Sequence, residues 1–161
     1  MDYNKLALEL HEKYKGKITT SLRDQRTLGR DELSAYYSPG VAAVSRAIAE
    51  NPADLERYTW TNNLVAVISD SSAILGLGDL GPKATMPVME GKGLLFKHFA
   101  GVDSVPIVLD VHEPEEIIAS VKAIAPSFGA INLEDIAAPK CFEIEDRKST
   151  RLNSSHEPLS R

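Results

Sequence analysis

Apolar positions along the chain alternate between helical spacing and short continuous runs, and this alternation predicts an α/β fold. The N-terminal segment carries an apolar residue every three or four positions until Gly16, as an amphipathic helix does. Three later runs are short and rich in β-branched residues, which is typical of buried strands. They cover residues 64–68, 105–109 and 130–133.

Segments with a helical period separate the three predicted strands. Residues 113–125 have acids in the first turn and an apolar face, and Pro126 stops the helix. A further helix is predicted over residues 91–100. Strands that alternate with helices need crossover connections, so we expect a mostly parallel sheet flanked by helices. Ligands bind such sheets beyond the carboxyl ends of the strands. The acids at those ends are Asp70, Asp110, Glu134 and Asp135.

Helical signals also precede the first strand. Ser38 is a suitable N-cap and Pro39 a suitable first residue of a helix. A shorter helix is predicted over residues 53–58, whereas residues 17–33 are polar and irregular. The sheet is therefore expected to follow an N-terminal helical segment.

The composition is that of one soluble globular domain. The 161 residues are 43% hydrophobic and 25% charged, and the net charge of −5 argues against a nucleic-acid partner. No apolar run is long enough to span a membrane, and the charged N-terminus carries no secretory signal. The sole cysteine, Cys141, is typical of a reducing compartment, so we expect a cytoplasmic protein.

The composition changes abruptly at Asp146. Residues 146–161 lack a hydrophobic period and are predicted to be a disordered polar tail. Most of this tail resembles the in-frame translation of a DNA-sequencing adapter, so we interpret it as non-native and the native part, residues 1–145, as truncated. A natural basic tail is the alternative.

Residues Gly76 to Gly81 match G-x-G-x-x-G, the fingerprint of dinucleotide-binding loops. That fingerprint requires a strand running into the first glycine and a helix opening at the third. Here the polar residues 69–72 interrupt the first connection, and the next helix is predicted to begin only near Gly91. We therefore expect a tight turn rather than a nucleotide site.

Lysine and tyrosine side chains could act in acid–base chemistry. Lys92 follows the predicted helix start at Gly91, where the helix dipole disfavours an ammonium and so favours a general base. Tyr36 or Tyr37 could be a general acid, since a phenol stays protonated at neutral pH. In an extended segment we expect one of them to be buried and the other free. A solvated lysine and two packing tyrosines are the ordinary alternatives.

The adjacent acids Glu134 and Asp135 could bind one cation, because both can reach the same side of a turn. Oxygen ligands suit Mg²⁺ or Mn²⁺ rather than zinc. Two acids leave a metal site incomplete, and two solvated loop acids are the ordinary alternative.

Four motifs together resemble the N-terminal domain of malic enzymes of the bacterial type. In chain order they are AYYSPGVA (35–42), ILGLGDLG (74–81), PVMEGK (87–92) and INLEDI (131–136). The resemblance covers essentially all of residues 1–145, and four motifs in this order are far more specific than any one alone. It implies that the glycine motif belongs to the substrate domain.

The resemblance implies oxidative decarboxylation of (S)-malate to pyruvate and CO₂, with reduction of NAD⁺ or NADP⁺ and a requirement for Mg²⁺ or Mn²⁺. By the same resemblance, Tyr37 is the catalytic acid, Lys92 the general base, and Glu134 and Asp135 are two metal ligands. The family's third metal ligand and its C-terminal NAD(P)-binding domain are absent here. This chain is therefore expected to be inactive alone, and its full-length parent to be a homodimer.

One departure from the related animal-type enzymes is Ala73, where those enzymes carry an arginine that anchors the substrate. Two other functions stay open at this point. A malolactic enzyme would share these motifs but yield lactate. A non-catalytic domain that only binds a metal or pairs subunits is the rival from a different class.

Overall fold

The structure is a computed structural model that describes residues 3–152, with side chains described for residues 3–147. It divides into two compact units, one formed by the residues up to 18 together with those from 64 onward, the other by residues 19–63. Among the described residues, no helix combines the length and apolar character that crossing a bilayer requires.

Helices and strands alternate from the first strand onward, as the sequence predicts. The described residues form the helices α1 (Tyr3–Tyr14), α2 (Arg30–Tyr36), α3 (Val41–Glu50), α4 (Asp54–Tyr58), α5 (Pro82–Ala100), α6 (Pro114–Ile124) and α7 (Lys140–Leu152). The strands are β1 (Leu64–Ser69), β2 (Asp103–Val108) and β3 (Ala130–Leu133).

The three strands form a wholly parallel sheet in the order β2-β1-β3, which confirms the predicted fold class. Ile68 of β1 lies opposite Ile107 of β2 and Leu133 of β3, so the three strands end at nearly the same level. Pro106 lies in the edge strand β2, where its missing N–H disturbs the ladder least. The chain crosses from β1 to β2 and then back to β3, so right-handed connections place α5 and α6 on opposite faces.

Apolar residues of the central strand and of α6 and α7 form the core of the larger unit. Ala66 and Ile68 of β1 pack with Ile117 and Val121 of α6 and with Ile144 of α7, and all five are at least 98% buried. Burying apolar side chains of this size contributes roughly 1.5–3 kcal/mol for each of the larger ones. This packing fixes the positions of the loops that leave the carboxyl ends of β1 and β3.

Helix α5 begins at Pro82 instead of near Gly91, so the predicted start of this helix is wrong. Pro82 occupies the first turn, where backbone N–H groups have no acceptor within the helix, so the lack of an N–H in proline costs little. Gly81 before it adopts a φ of 83°, which favours glycine. Pro87 lies inside the helix and removes one hydrogen bond, but α5 packs along β1 and β2. Tertiary packing thus overrides a strong local helix-breaking signal.

Helix α7 continues past residue 145 to Leu152, so the predicted disorder is wrong for residues 146–152. Arg147 donates to Glu115 of α6 at 2.8 Å and to Glu143 of the same helix at 3.0 Å. The pair with Glu115 connects α7 to α6. Residues 153–161 lie outside the described residues, and the adapter origin of the tail stays a prediction.

The smaller unit contains α2, α3 and α4. Helix α2 was not predicted, because the sequence before Ser38 was expected to be extended. Helix α3 begins at Val41 rather than at Pro39, with Gly40 before it. A Cβ at Gly40 would lie 2.4 Å from the carbonyl oxygen of Ala35, so only glycine allows the chain to turn so closely between α2 and α3.

Candidate active site

The turn after β3 presents the acids Glu134 and Asp135. Glu134 still follows the strand, since its N–H donates to the carbonyl of Ile68 at 2.8 Å. Asp135 then turns the chain with a φ of 51°, a left-handed conformation that Asp and Asn adopt more readily than most residues. Its carbonyl accepts hydrogen bonds from the Ala73 N–H at 3.2 Å and from the Ser69 hydroxyl at 3.5 Å. The turn is therefore tied to the loop that follows β1.

Lys92 reaches this turn from the middle of α5. Its Nζ lies 2.9 Å from Oε2 of Glu134, and both side chains are about one-third exposed or less. The structure thus brings together two of the residues predicted from the sequence. The helix-dipole argument for Lys92 is wrong, however, because the dipole acts within the first turn and Lys92 lies well inside the helix.

Asn132 is a site residue that the sequence reasoning missed. Its side-chain amide donates to Oε2 of Glu134 at 2.9 Å, so this oxygen is shared between Asn132 and Lys92. Side chains two residues apart on a strand point to the same face. The spacing of Asn132 and Glu134 in the sequence could therefore have indicated that the amide lies beside the carboxylate. With two partners on one oxygen, the Glu134 carboxylate has a defined orientation.

The Asp135 carboxylate has fewer side-chain partners than that of Glu134. Its Oδ2 is buried and has no hydrogen-bond partner among the described residues. Burial raises the pKa of Asp135, and the negative charge of Glu134 raises it further, while the Leu75 N–H and the Lys92 charge act in the opposite direction. A buried oxygen without a partner, beside a second carboxylate, suits a hard cation such as Mg²⁺ or Mn²⁺. Within the described residues no third acid, His or Cys completes such a group.

Asp70 directly follows β1 and is fully buried. Its Oδ2 forms an ion pair with Lys140 at the start of α7, and its Oδ1 accepts the Ser72 hydroxyl at 2.6 Å. Burial raises the pKa of Asp70, but the contacts with Lys140 and Ser72 outweigh it and hold the pKa below its ordinary value. Of the four strand-end acids, Asp110 alone is exposed.

The glycine motif forms the connection between β1 and α5. Gly76, Gly78 and Gly81 all have positive φ, and a Cβ on any of them would meet no atom within 4 Å. Backbone conformation, not close packing, therefore requires glycine there. The prediction that no helix opens at the third glycine is wrong, since α5 begins at Pro82. The other objection to a nucleotide site holds, because β1 does not run into the first glycine: a loop separates it from the short 3-10 helix Ile74–Gly76, which ends at that glycine.

Tyr37 belongs to the smaller unit, whereas Lys92, Glu134 and Asp135 belong to the larger one. Tyr37 follows the last residue of α2 and is 77% exposed. Tyr36 is 59% exposed, and its hydroxyl donates to Asp24 at 2.9 Å. The expectation that one of the two is buried is wrong, because both lie at the end of a helix instead of in an extended segment.

Comparison with known proteins identifies close relatives over most of the chain. The sequence profile described as "Malic enzyme, N-terminal domain" matches residues 12–149. An NAD-dependent malic enzyme of Geobacillus stearothermophilus is 62% identical over 138 residues, which are 86% of this chain and 29% of that protein. An NADP-dependent malic enzyme of Halomonas elongata is 54% identical, over 86% of this chain and 33% of its own length.

A bifunctional malic/malolactic enzyme of Bacillus subtilis is 46% identical over 95% of this chain and 37% of its own length. The chain spans about a third of the length of these three relatives. Among solved structures, an NAD-dependent malic enzyme from Thermotoga maritima is similar at a TM-score of 0.87, with 54% identity over 90% of this chain and 38% of that one. A malic enzyme from Pyrococcus horikoshii has a TM-score of 0.83, with 48% identity over 90% of this chain and 34% of that one.

Proposed function

Since this chain belongs to the malic enzyme family, whose N-terminal domain it matches, we propose that it is part of a longer enzyme that converts (S)-malate to pyruvate and CO₂. The oxidant is NAD⁺ or NADP⁺, the cofactors named for its relatives. The observation that carries the proposal is the contact between Lys92 and Glu134 beside the buried, unpartnered oxygen of Asp135. A potential base and two potential ligands for a cation thus meet at one point.

Glu134 and Asp135 are the residues that would hold a divalent cation. Such a cation, when bound, polarises the C2 hydroxyl and the neighbouring carboxylate of malate. Asp135 supports this role because its Oδ2 lacks a hydrogen-bond partner within the described part of the chain, and Asn132 supports it by orienting the Glu134 carboxylate. The raised pKa of Asp135 reflects the burial and the nearby negative charge that a cation would offset.

Lys92 is the base in this proposal. As a hydride leaves C2 of malate, Lys92 accepts the proton of the C2 hydroxyl, and a carbonyl forms at that carbon. The keto acid then loses CO₂ from the carboxylate next to C3. Tyr37 donates its phenolic proton to C3, which completes pyruvate.

The first experiment compares this chain with the longer reading frame that contains it. Malate-dependent formation of NADH or NADPH is measured for both proteins with Mn²⁺ present. We expect turnover only from the longer protein, because the chain spans about a third of relatives that bind the cofactor. Turnover by residues 1–161 near the rate of the longer protein would overturn the proposed inactivity.

A malolactic activity is the second candidate, favoured by the 46% identity to the bifunctional enzyme of Bacillus subtilis. Product analysis separates the two reactions. A malic enzyme accumulates pyruvate together with reduced cofactor, whereas a malolactic enzyme accumulates lactate without net cofactor reduction. If the longer protein forms neither product and this chain still binds Mn²⁺, a non-catalytic metal-binding role is favoured instead.

A further inference from the structure

The loop after β1 holds the turn that carries Asp135 in place through the backbone. The Asp135 carbonyl accepts the Ala73 N–H, and two residues later the Ala137 N–H donates to the Ser72 hydroxyl at 2.9 Å. The left-handed φ of Asp135 is unfavourable for most residues, so these contacts from outside the turn stabilise it. The position of the Asp135 carboxylate therefore depends on where Ser72 lies.

Ser72 is in turn positioned by Asp70. The Ser72 hydroxyl donates to Oδ1 of Asp70 at 2.6 Å, and the Ser72 N–H donates to the same oxygen at 3.1 Å. Because the hydroxyl gives its only proton to Asp70, its lone pairs are directed to accept the Ala137 N–H. The carboxylate of Asp70 thus fixes both the position and the donor–acceptor polarity of Ser72.

The other oxygen of Asp70, Oδ2, contacts side chains outside the loop that follows β1. It forms an ion pair with Lys140, whose Nζ also donates to the carbonyl of His112 at 3.1 Å. His112 lies 3.7 Å from that oxygen as well. Lys140 is the first residue of α7, so Asp70 also contacts the chain where it continues from the Asp135 turn into that helix. A fully buried carboxylate is costly unless it is paired, and two of its partners, Ser72 and Lys140, connect Asp70 to the segment that follows Asp135.

We propose that Asp70 is a positioning residue for the Glu134–Asp135 pair, acting through Ser72 and Lys140 to set the affinity of that pair for a divalent cation. This inference rests on the proposed function, since it takes the pair to be the cation site. Asp70 itself does not touch the cation in this scheme. Removing a group that orients metal ligands without contacting the metal typically weakens metal binding by about 10–100-fold.

The first test uses residues 1–161 and measures the dissociation constant for Mn²⁺ by calorimetry. Ser72→Ala removes the hydroxyl that joins Asp70 to the turn, and we expect it to weaken Mn²⁺ binding about tenfold. Ser72→Thr keeps the hydroxyl and should restore the affinity to within about threefold. Ser71→Ala is the matched control, because Ser71 is the adjacent serine and its buried hydroxyl has no hydrogen-bond partner in the described residues. It should leave the affinity unchanged.

A second measurement needs no metal. Hydrogen exchange of the Ala137 amide reports whether the turn is still held, and the Val121 amide in α6 reports global stability. Asp70→Asn and Ser72→Ala should accelerate exchange at Ala137 at least about tenfold more than at Val121. A purely structural role would raise exchange at both amides together. Ser72→Ala keeps this measurement informative if Asp70→Asn fails to fold.

The outcomes separate this inference from the proposed function. If Mn²⁺ binding is lost in Asp135→Asn but unchanged in Ser72→Ala and Asp70→Asn, the role of Asp70 is overturned and the cation site stands. If Asp135→Asn binds Mn²⁺ as tightly as the unsubstituted chain, or if that chain binds none, the cation site fails and the inference fails with it.

Discussion

Nζ of Lys92 lies 2.9 Å from Oε2 of Glu134, which joins the middle of α5 to the carboxyl end of β3. The two residues are distant in sequence, and only the packing of α5 against the sheet brings them together. The contact places an amine beside a pair of acids. In the proposed reaction this is where the hydroxyl proton of malate is removed.

Lys92→Ala in the longer enzyme should lower kcat by about two to four decades, because a positioned general base contributes about that much to the rate. The matched control is Lys97→Ala. Lys97 lies on the same helix and forms an ion pair of 2.7 Å with Asp103, so it is equally a paired lysine. Steady-state kinetics with malate should show less than about a threefold change for the control. A loss below tenfold for Lys92→Ala would contradict its assignment as the base.

Tyr37→Phe in the longer enzyme should lower kcat at least about a hundredfold, because it removes the proton proposed for C3. Tyr36→Phe provides the comparison, since that neighbouring hydroxyl is already bound to Asp24. Its loss should leave kcat nearly unchanged. The measurement is pyruvate formation at saturating malate. If Tyr36→Phe lowered kcat as much as Tyr37→Phe, the loss would reflect a general disturbance at the end of α2. It would then not show that Tyr37 donates a proton.

Asp135→Asn should stabilise residues 1–161 in the absence of a divalent cation. The folded-state pKa of Asp135 is raised, so its stabilising contribution is present at low pH and is lost as the pH rises through that pKa. At neutral pH the charged group destabilises the fold. Removing it should raise the thermal midpoint by a few degrees, since about 1 kcal/mol corresponds to roughly 2–4 °C for a chain of this size.

The control for Asp135→Asn is Asp110→Asn at the exposed strand-end acid, which should leave the midpoint unchanged. The scans are run with a chelator and repeated with excess Mn²⁺. Added Mn²⁺ should stabilise the unsubstituted chain and leave Asp135→Asn unaffected. A lower midpoint for Asp135→Asn in chelator would contradict the unfavourable buried charge.

Asp70 should make the folded state sensitive to acid. Its folded-state pKa is lowered, so its contribution is present above the unfolded pKa of about 4 and is lost as the pH falls through the folded value. Urea unfolding from about pH 7 to pH 3 should therefore show a smaller loss of stability for Asp70→Asn than for the unsubstituted chain.

Lys140→Met should destabilise the chain at neutral pH by up to about 3 kcal/mol in the same urea unfolding, because it leaves the buried carboxylate of Asp70 without its ion-pair partner.

Two glycines of α5 should respond in opposite directions to alanine. A Cβ at Gly93 would lie 2.5 Å from the Ser104 hydroxyl and 3.3 Å from Ile18, so Gly93→Ala should destabilise the chain by about 1 kcal/mol or more. A Cβ at Gly91 meets nothing within 4 Å, and Gly91→Ala should stabilise the helix by about 0.5–1 kcal/mol. Urea unfolding of both variants checks the sign of each change.

Much of the fold was predictable because local pattern and tertiary position agree there. The strand predicted over residues 64–68 is observed as Leu64–Ser69, and residues 130–133 form β3 as predicted. Helix α6 was equally clear, since its acids, apolar face and flanking prolines coincide. These segments lie in or against the core, where β-branched runs and amphipathic faces are required by burial.

The errors lie where packing overrides a local signal. The sequence predicts this helix only from near Gly91, yet α5 begins at Pro82 and continues through Pro87, because one face of the helix packs along the sheet. The polar residues after 145 predicted disorder, yet Arg147 connects them to Glu115 of the neighbouring helix. Tyr36 was expected to be in an extended segment, yet it ends a helix whose first turn carries Asp31 and Glu32, a signal that the sequence did contain.

The sequence by itself determined the family, the three strands and the candidates Lys92, Glu134, Asp135 and Tyr37, because these depend on residue types and their spacing. The tertiary structure decided that Lys92 contacts Glu134, that Asn132 orients it, and that Asp70 is buried behind the turn. Distances between residues far apart in the chain, and the burial that shifts the pKa of a carboxylate, exist only once the helices have packed against the sheet.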